Sequence, residues 1–314
     1  MPSMSNYPGG FAAGVMIRGV PLLQTHPGKV FWVDNSTSSL LVNVKGGSNS
    51  NKGTFNDPFS TLDYAIGQCR ADKGDIIFIK PGHSETLTAT SVAVDVAGIA
   101  IVGLGQGSNR PTFNATATAS VFPISAANVT VHNLLFTGGI DAVVSMVTVS
   151  AADVVLSNIE IRDVTGEIVV GILTTAAANR LLVDGFVYDG AAGDGASAAI
   201  AIVGGNRIEI RNFNIDGDFS VSAIDVRTTA TTKLAIHDGK FYNRDAAVDT
   251  VIKDTITAST GIMGPNLIIS LEEHAANVTE TITGATFRVI DDVYVVNLDN
   301  EKAMLINWVA TTDV

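Results

Sequence analysis

The feature that most narrows what this chain can fold into is a phrase it repeats. Residues 128–136 read NVTVHNLLF and residues 153–161 read DVVLSNIEI: a polar start, alternating apolar positions, an asparagine, then two more apolar positions. The design recurs at Leu181 (LLVDGFVY), Ile208 (IEIRNFNI) and Leu234 (LAIHDGKF), so copies counted from Val129 follow one another at 25, 27, 27 and 26 residues. Weaker versions precede them at 77–82 (IFIKPG) and 99–105 (IAIVGLG), and one follows at 267–271 (LIISL). A fixed period of this size marks stacked supersecondary units.

Each copy carries its own structural instructions. The pairs Val129/Val131, Val154/Leu156, Leu181/Val183, Ile208/Ile210 and Leu234/Ile236 alternate at period two, as a strand with one buried face does. Two residues on stands Asn133, Asn158, Gly185, Asn212 or Asp238. These types tolerate a left-handed backbone, which predicts a sharp corner. A second short strand supplies Leu134/Phe136, Ile159/Ile161, Phe186/Tyr188, Phe213/Ile215 and, in part, Phe241. A third apolar strand lies upstream of each pair: SVFPI, SMVTV, VVGIL, AIAIV and SAIDV. Three strands and three corners make one turn of a coil, with its neighbours about 4.8 Å above and below. Helical solenoids need paired runs of about ten residues at 3.6 spacing, which this sequence lacks. The inward side chains of one coil contribute on the order of 10 kcal/mol, and ordering its backbone costs at least that much. No coil stands alone, so the units must stack. The expected fold is all-β: a single-stranded parallel β-helix over residues 50–275, three strands to a coil.

The ends read differently. In DPFSTLDYAIGQCRA (57–71), Phe59, Leu62, Ala65, Ile66 and Cys69 share one face at helical spacing behind Pro58, which predicts a capping helix near 58–70. Cys69 is then a buried apolar residue rather than a nucleophile. Residues 276–314 hold ATFRVI, DVYVVNL and AMLINWV, which read as a separate C-terminal β element serving as an oligomerisation cap. Residues 1–49 are broken by Pro and Gly yet carry large apolar groups, the composition of an extended N-terminal arm. Tyr7, Phe11, Met16, Ile17, Arg18, Leu22, Leu23, Phe31 and Trp32 are its candidate contact residues. The arm either lies on a neighbouring subunit or folds back along its own solenoid.

Composition excludes several classes of partner. A formal net charge of −12 argues against nucleic acid and anionic membranes. The one cysteine leaves no disulfide framework and no thiolate metal cluster. No apolar run approaches the roughly 20 residues that span a bilayer, and MPSMSNYPGG lacks the features of a secretory signal. The expectation is a soluble protein made in a cytoplasm.

The search for chemistry is short. GLGQGSNR (103–110) lacks the Lys-Ser/Thr of a phosphate loop and reads as a turn. Histidines 26, 83, 132, 237 and 274 have no metal-site spacing, so neither metal nor other cofactor is expected. His132, Ser157, Asp184, Arg211 and His237 fall in one outward column, either a solvated ladder or a catalytic row; the register predicts an Asp184–Arg211 ion pair. Asp189, Asp194, Asp216 and Asp218 lie at coil ends where two carboxyls about 5–9.5 Å apart would suit glycoside hydrolysis. Their YDGAAGDG and NIDGDF contexts are also plain turn chemistry, and Asp291–Asp292 reads as a turn. Aromatic residues are only 6%, few for a saccharide groove.

The repeat, with FNDPFSTLDYAIGQC, GDIIFIKPGHSETL and GIAIVGLGQGSNRPTF, resembles right-handed parallel β-helix proteins of the pectate-lyase-like type, in the version found among structural proteins of tailed bacteriophages. The leader YPGGFAAGVMIRGVPLLQTHPGKVFWV is similar to leaders of phage virion β-helix proteins. This resemblance spans about residues 50–275 plus the leader, and it implies right-handed winding and a place in a virion. The Asp clusters with Lys and Arg that pectinolytic relatives carry find no matching coils here. A compact, acidic solenoid with an apolar leader looks more like a capsid decoration (cement) protein than a tailspike. The resemblance then implies a homotrimer on the capsid surface, bound to the major capsid protein, with no catalytic residue, cofactor, nucleic-acid or membrane partner. The alternatives are a short tailspike or receptor-binding fibre that recognises or cleaves a host polysaccharide, and a carbohydrate-active enzyme outside phages.

Overall fold

The computed structural model describes residues 28–36, 45–138, 140–163, 168–190, 193, 195–245, 248, 250–256, 258–271 and 287–290, with short strands at 16–17, 20–21, 282–283, 293–297 and 302–305. It is an all-β parallel solenoid with three faces and about seven complete turns, consistent with right-handed winding. The first face begins with Val30–Val33, Ile76–Ile79, Ala100–Gly103 and Thr130–His132, and continues through Val155–Ser157 and Leu182–Asp184 to Phe287–Val289. The second runs from Ser84–Leu87 through Thr112–Ala115 to Leu267–Leu271 and Val293–Asn297. The third stacks seven strands, from Phe122–Ile124 to Ile282–Thr283.

Register explains the repeat. Val131, Leu156, Val183, Ile210 and Ile236 face one another from strand to strand, each at most 1% exposed. On the second face the inward column is Phe113, Phe136, Ile161, Tyr188, Ile215, Phe241 and Ile269. Phe113 stacks on Phe136 at 5.8 Å, and Phe122 from the third face meets both rings. Each such side chain contributes about 1.5–3 kcal/mol on burial. Val129, Val154, Leu181, Ile208 and Leu234 line the same interior, as the period requires.

Two columns of left-handed residues turn the chain. Asn133, Asn158, Gly185, Asn212 and Asp238 all have φ between 53° and 77°, the corner expected between the first and second faces. Their side chains form rungs. Asn158 Nδ2 donates to Asn133 Oδ1 (2.7 Å), and Asn133 Nδ2 donates to the Gly103 carbonyl (2.9 Å). Asn266 extends the column, donating to Asp238 Oδ1 (2.6 Å). The other column enters the first face at Gly74, Gly98, Asn128, Asp153, Arg180, Arg207 and Lys233, with φ between 57° and 72°. Sequence reasoning did not anticipate it.

The ends depart from the expected boundaries. Val30–Val33 lies inside the stretch assigned to the arm, yet it pairs with Ile76–Ile79 as the first strand of the stack. Phe31 is accordingly 9% exposed and packs on Phe59 of its own chain, ring centroids 5.8 Å apart, so it is unavailable to a neighbour. The helix is shorter than expected, Leu62–Gly67, because Phe59 is bridged to Val33 and Thr61 provides the N-cap, accepting from the Tyr64 N–H. Leu62, Ala65 and Ile66 are buried under it. Burial pushes the Cys69 thiol up to about 12, and its Sγ donates to the Ala65 carbonyl, the behaviour of an inert packed thiol. At the other end, Phe287 stands opposite Gly261 and Val293 opposite Leu267, so the solenoid runs past residue 275. Among the described residues the rhythm breaks at Lys302–Leu305, which pairs antiparallel with Val293–Asn297. Asp75 ties the N-terminal end together. Burial opposes its ionisation, but the Arg70 guanidinium and the N–H groups of Lys29 and Arg70 outweigh burial and lower its pKa.

Candidate functional site

Inward positions of the first face are spent on the core, so function must use the outward ones. Trp32, Phe78, Val102, His132, Ser157, Asp184, Arg211 and His237 form one outward column in unbroken register. Its chemistry changes along the stack. At the N-terminal end Trp32 meets Phe55 edge-on (4.9 Å) and lies against Phe78 (5.1 Å). Lys80 Nζ sits 4.6 Å over the Phe55 ring and 3.5 Å from Asp34. Phe55 is 46% exposed and neighbouring Val30 41%, so a group of large apolar side chains reaches solvent here. Sequence analysis pointed to Trp32 and missed Phe55, which sits in a loop with no periodic signal.

Further along, the column becomes ionic. Arg211 donates from Nε (3.1 Å) and Nη2 (2.9 Å) to Asp184 and from Nη1 to Glu209 (2.9 Å), so the expected ion pair is present. His237 lies between Glu209 Oε1 (3.3 Å) and Asp238 Oδ2 (2.6 Å). His132 Nδ1 is 3.2 Å from Ser157 Oγ, a nucleophile–base distance, and burial lowers the histidine pKa. A working triad needs a carboxylate on the second imidazole nitrogen. Here the nearest carboxylate in the column, Asp184, stands beyond the serine and is engaged by Arg211 and Asn212. The row is a ladder of satisfied polar groups.

The carboxylates at the coil ends fare similarly. Asp189 and Asp216 are ladder partners on the second face. Arg244 binds Asp216 (2.8 Å) and the Gly190 carbonyl (3.3 Å), with its guanidinium over the Tyr242 ring. One member of the pair is thus held in an ion pair with Arg244. Asp163 is buried and accepts from the Tyr188 hydroxyl (2.9 Å) and the Ile168 N–H, a structural pair that with burial raises the tyrosine pKa. Asp194, Asp291 and Asp292 lie outside the described residues, as do Tyr7, Phe11, Arg18, Leu22 and Leu23; Met16 and Ile17 are described only as backbone. Among the described residues no group of three or more His, Cys, Asp or Glu is placed to hold a metal ion, and no helix is long and apolar enough to cross a membrane.

The described residues form a concavity beside this ladder. A groove of about 580 Å³ follows the corner between the first and second faces, lined by Val187, Asn212, Asn214, Asp238, Lys240 and Ile268, among others. Asn212 and Asp238 were legible as corner residues. The groove itself was not, because it arises from four consecutive coils lying side by side.

No family model matches this chain, and no curated protein does. Among solved structures it is similar to a rhamnogalacturonan lyase, at 12% identity over 89% of this chain and 90% of the other, with a TM-score of 0.38. It is also similar to the GH136 lacto-N-biosidase from Eubacterium ramulus, at 13% identity over 84% of this chain, with a TM-score of 0.44. The chain spans 60% of the length of that biosidase. Neither likeness carries chemistry to this chain.

Proposed function

We propose that this chain is a structural protein of a phage particle, a capsid decoration (cement) protein that sits on the major capsid protein as a homotrimer and stabilises the shell. The observation that carries this reading is the apolar group of half-buried Trp32 and Phe78 with exposed Phe55 and Val30, on a face where Arg211 and His237 are engaged by neighbouring carboxylates. A contiguous outward aromatic group on a rigid sheet is a surface for packing against protein. The solenoid supplies the rigidity, since its strands pair along the whole stack, and the acidic charge keeps the free protein dispersed.

The test uses particles of the phage whose genome carries the sequence. Mass spectrometry of purified virions should detect the protein at stoichiometric rather than trace levels. Shells stripped of it should take it back on mixing and sediment with it. Virions that lack the protein would overturn the assignment. The register also changes the choice of truncation. A deletion must stop at residue 27, because removing Val30–Val33 takes away a strand of the stack.

The corner groove favours a second reading, a short receptor-binding fibre that recognises a host polysaccharide. Its amide and carboxylate walls over Val187 and Ile268 suit a hydroxyl-rich chain. Host glycan that bound the protein and lost binding on Lys240→Glu would support this reading over the first; release of reducing sugar would make it an enzyme.

A further inference from the structure

We infer that the C-terminal end of the solenoid carries a proton-operated latch: Asp254, an acid set in an interior column, holds the last coils closed when it is neutral and loosens them when it is ionised. This goes beyond the packing and binding roles proposed above and depends on neither. Three observations carry it. The first is position. On the third face Ile124, Val149, Thr174, Ile202, Val226 and Asp254 are ladder partners in that order. The five before Asp254 are fully buried; four are aliphatic, and Thr174 spends its hydroxyl oxygen on the Val203 N–H (3.2 Å). Asp254 itself is 8% exposed, on the same side of its strand as fully buried Ile252. The column calls for an apolar side chain here, and the chain supplies an acid.

The second observation is how little holds the charge. Asp254 Oδ1 accepts from the Ile256 N–H (2.7 Å) and the Ser259 hydroxyl supports the carboxylate, but Oδ2 is buried with no hydrogen-bond partner among the described residues. The nearby cations serve another acid. Arg227 Nη1 lies 3.3 Å from Asp225, and Lys253 attracts Asp225 as well. Asp225, on the neighbouring strand Ile224–Val226, repels the Asp254 charge, and Ile282–Thr283 on the other side carries none. Burial dominates and raises the Asp254 pKa. The folded value therefore lies above the unfolded one, and the fold gains stability as pH falls through it. The neutral acid keeps the Oδ1 bond and sheds the cost of a buried, incompletely paired charge. The third observation is what the acid holds. Ser259 Oγ accepts from the Thr231 N–H (3.2 Å), and the Thr260 N–H donates to the Thr231 carbonyl (2.9 Å). The turn seated on Asp254 thus fastens the entry to Gly261–Met263 against the coil before it.

Hydrogen exchange of the full-length chain, corrected for the intrinsic pH dependence of exchange, reads the latch peptide by peptide. From about pH 7 to about pH 4, protection of peptides covering 252–263 should rise several-fold. Peptides covering 122–124 and 147–149, whose column residues are Ile124 and Val149, should not follow. Asp254→Asn removes the charge at nearly equal shape and should show the acid-state protection at both pH values. Asp254→Thr, which copies Thr174 of the same column, should do likewise and covers a failure of the first variant to fold. Asp225→Asn should still respond to pH. A wild type whose 252–263 protection ignores pH overturns the inference, as does a response that survives in both Asp254 variants. A response abolished by Asp225→Asn also overturns it, by assigning the proton to the neighbouring acid.

Discussion

The two corner columns have nearly the same backbone and opposite side-chain behaviour. At the corner between first and second faces, Asn133, Asn158, Asn212 and Asp238 hold φ near 53–60°, and side-chain hydrogen bonds link this column to its neighbours. At the corner that enters the first face, Asp153, Arg180, Arg207 and Lys233 hold φ of 57–59°. There, among the described residues, the side-chain pair along the column is Arg180 on Asp153, both exposed to water. At the first corner the Asn and Asp side chains bridge the coils, and Gly185 meets the backbone demand alone. The second needs only a backbone that passes through the left-handed region, and the stacked strands on either side impose that. Where neighbours impose the geometry, residue type drifts.

The widest gap between the corners should appear with a β-branched residue. Asn158→Val loses the rung to Asn133 and places a branched side chain at φ 53°. The backbone penalty is about 1–2 kcal/mol, and the lost hydrogen bond adds roughly 1 kcal/mol. Urea unfolding should show a loss of about 2–3 kcal/mol. Asp153→Val pays the backbone penalty and loses only an exposed pair, so its loss should be smaller. Equal losses at the two positions would mean that the rungs contribute nothing.

Reversing the logic gives a stabilising change. Arg207 is exposed, at φ 59°, with no side chain bridging it to the coils above and below among the described residues. Arg207→Gly removes the left-handed strain, less glycine's own entropy cost, for a net gain of roughly 0.5–1 kcal/mol. Lys233→Gly should behave alike. A loss of stability in both variants would show that these cations have partners in the assembled protein.

What was legible follows the same division. The inward columns could be read because every coil repeats the same burial, so Val131, Leu156, Val183, Ile210 and Ile236 must all be apolar. The asparagine corner could be read because its residue type does the turning. Val30–Val33 reads as part of the arm and Phe287–Val289 as part of a separate β element, because each lies at an end of the stack, where no asparagine corner follows and the flanking sequence is irregular. Phe55 and the groove escaped notice for a different reason. Loops and outward positions carry no period, and a concavity belongs to several coils at once.

The smallest difference is electrostatic. Asp238 has its pKa lowered by the Asn266 amide and by His237, and Asp153 by the Arg180 guanidinium. Both folded values lie below the unfolded one, so each carboxylate stabilises the fold above the ordinary carboxylate range, near about 3.9, and loses that contribution as pH falls through its folded value. Both are exposed, so the effects are small and sensitive to salt. Asp225 and Asp254 act oppositely. Burial raises both, so they favour the fold as the solution turns acid. Melting temperatures followed from about pH 5 to about pH 3 should fall less steeply in Asp153→Asn than in the wild type. Asp238→Asn should flatten the curve too, while keeping its neutral-pH stability, because an asparagine still accepts from Asn266 and still suits the left-handed corner. If Asp238→Asn instead melts early at neutral pH, the rung at this corner is held by charge rather than by shape, and the two corners differ less than their hydrogen bonds suggest.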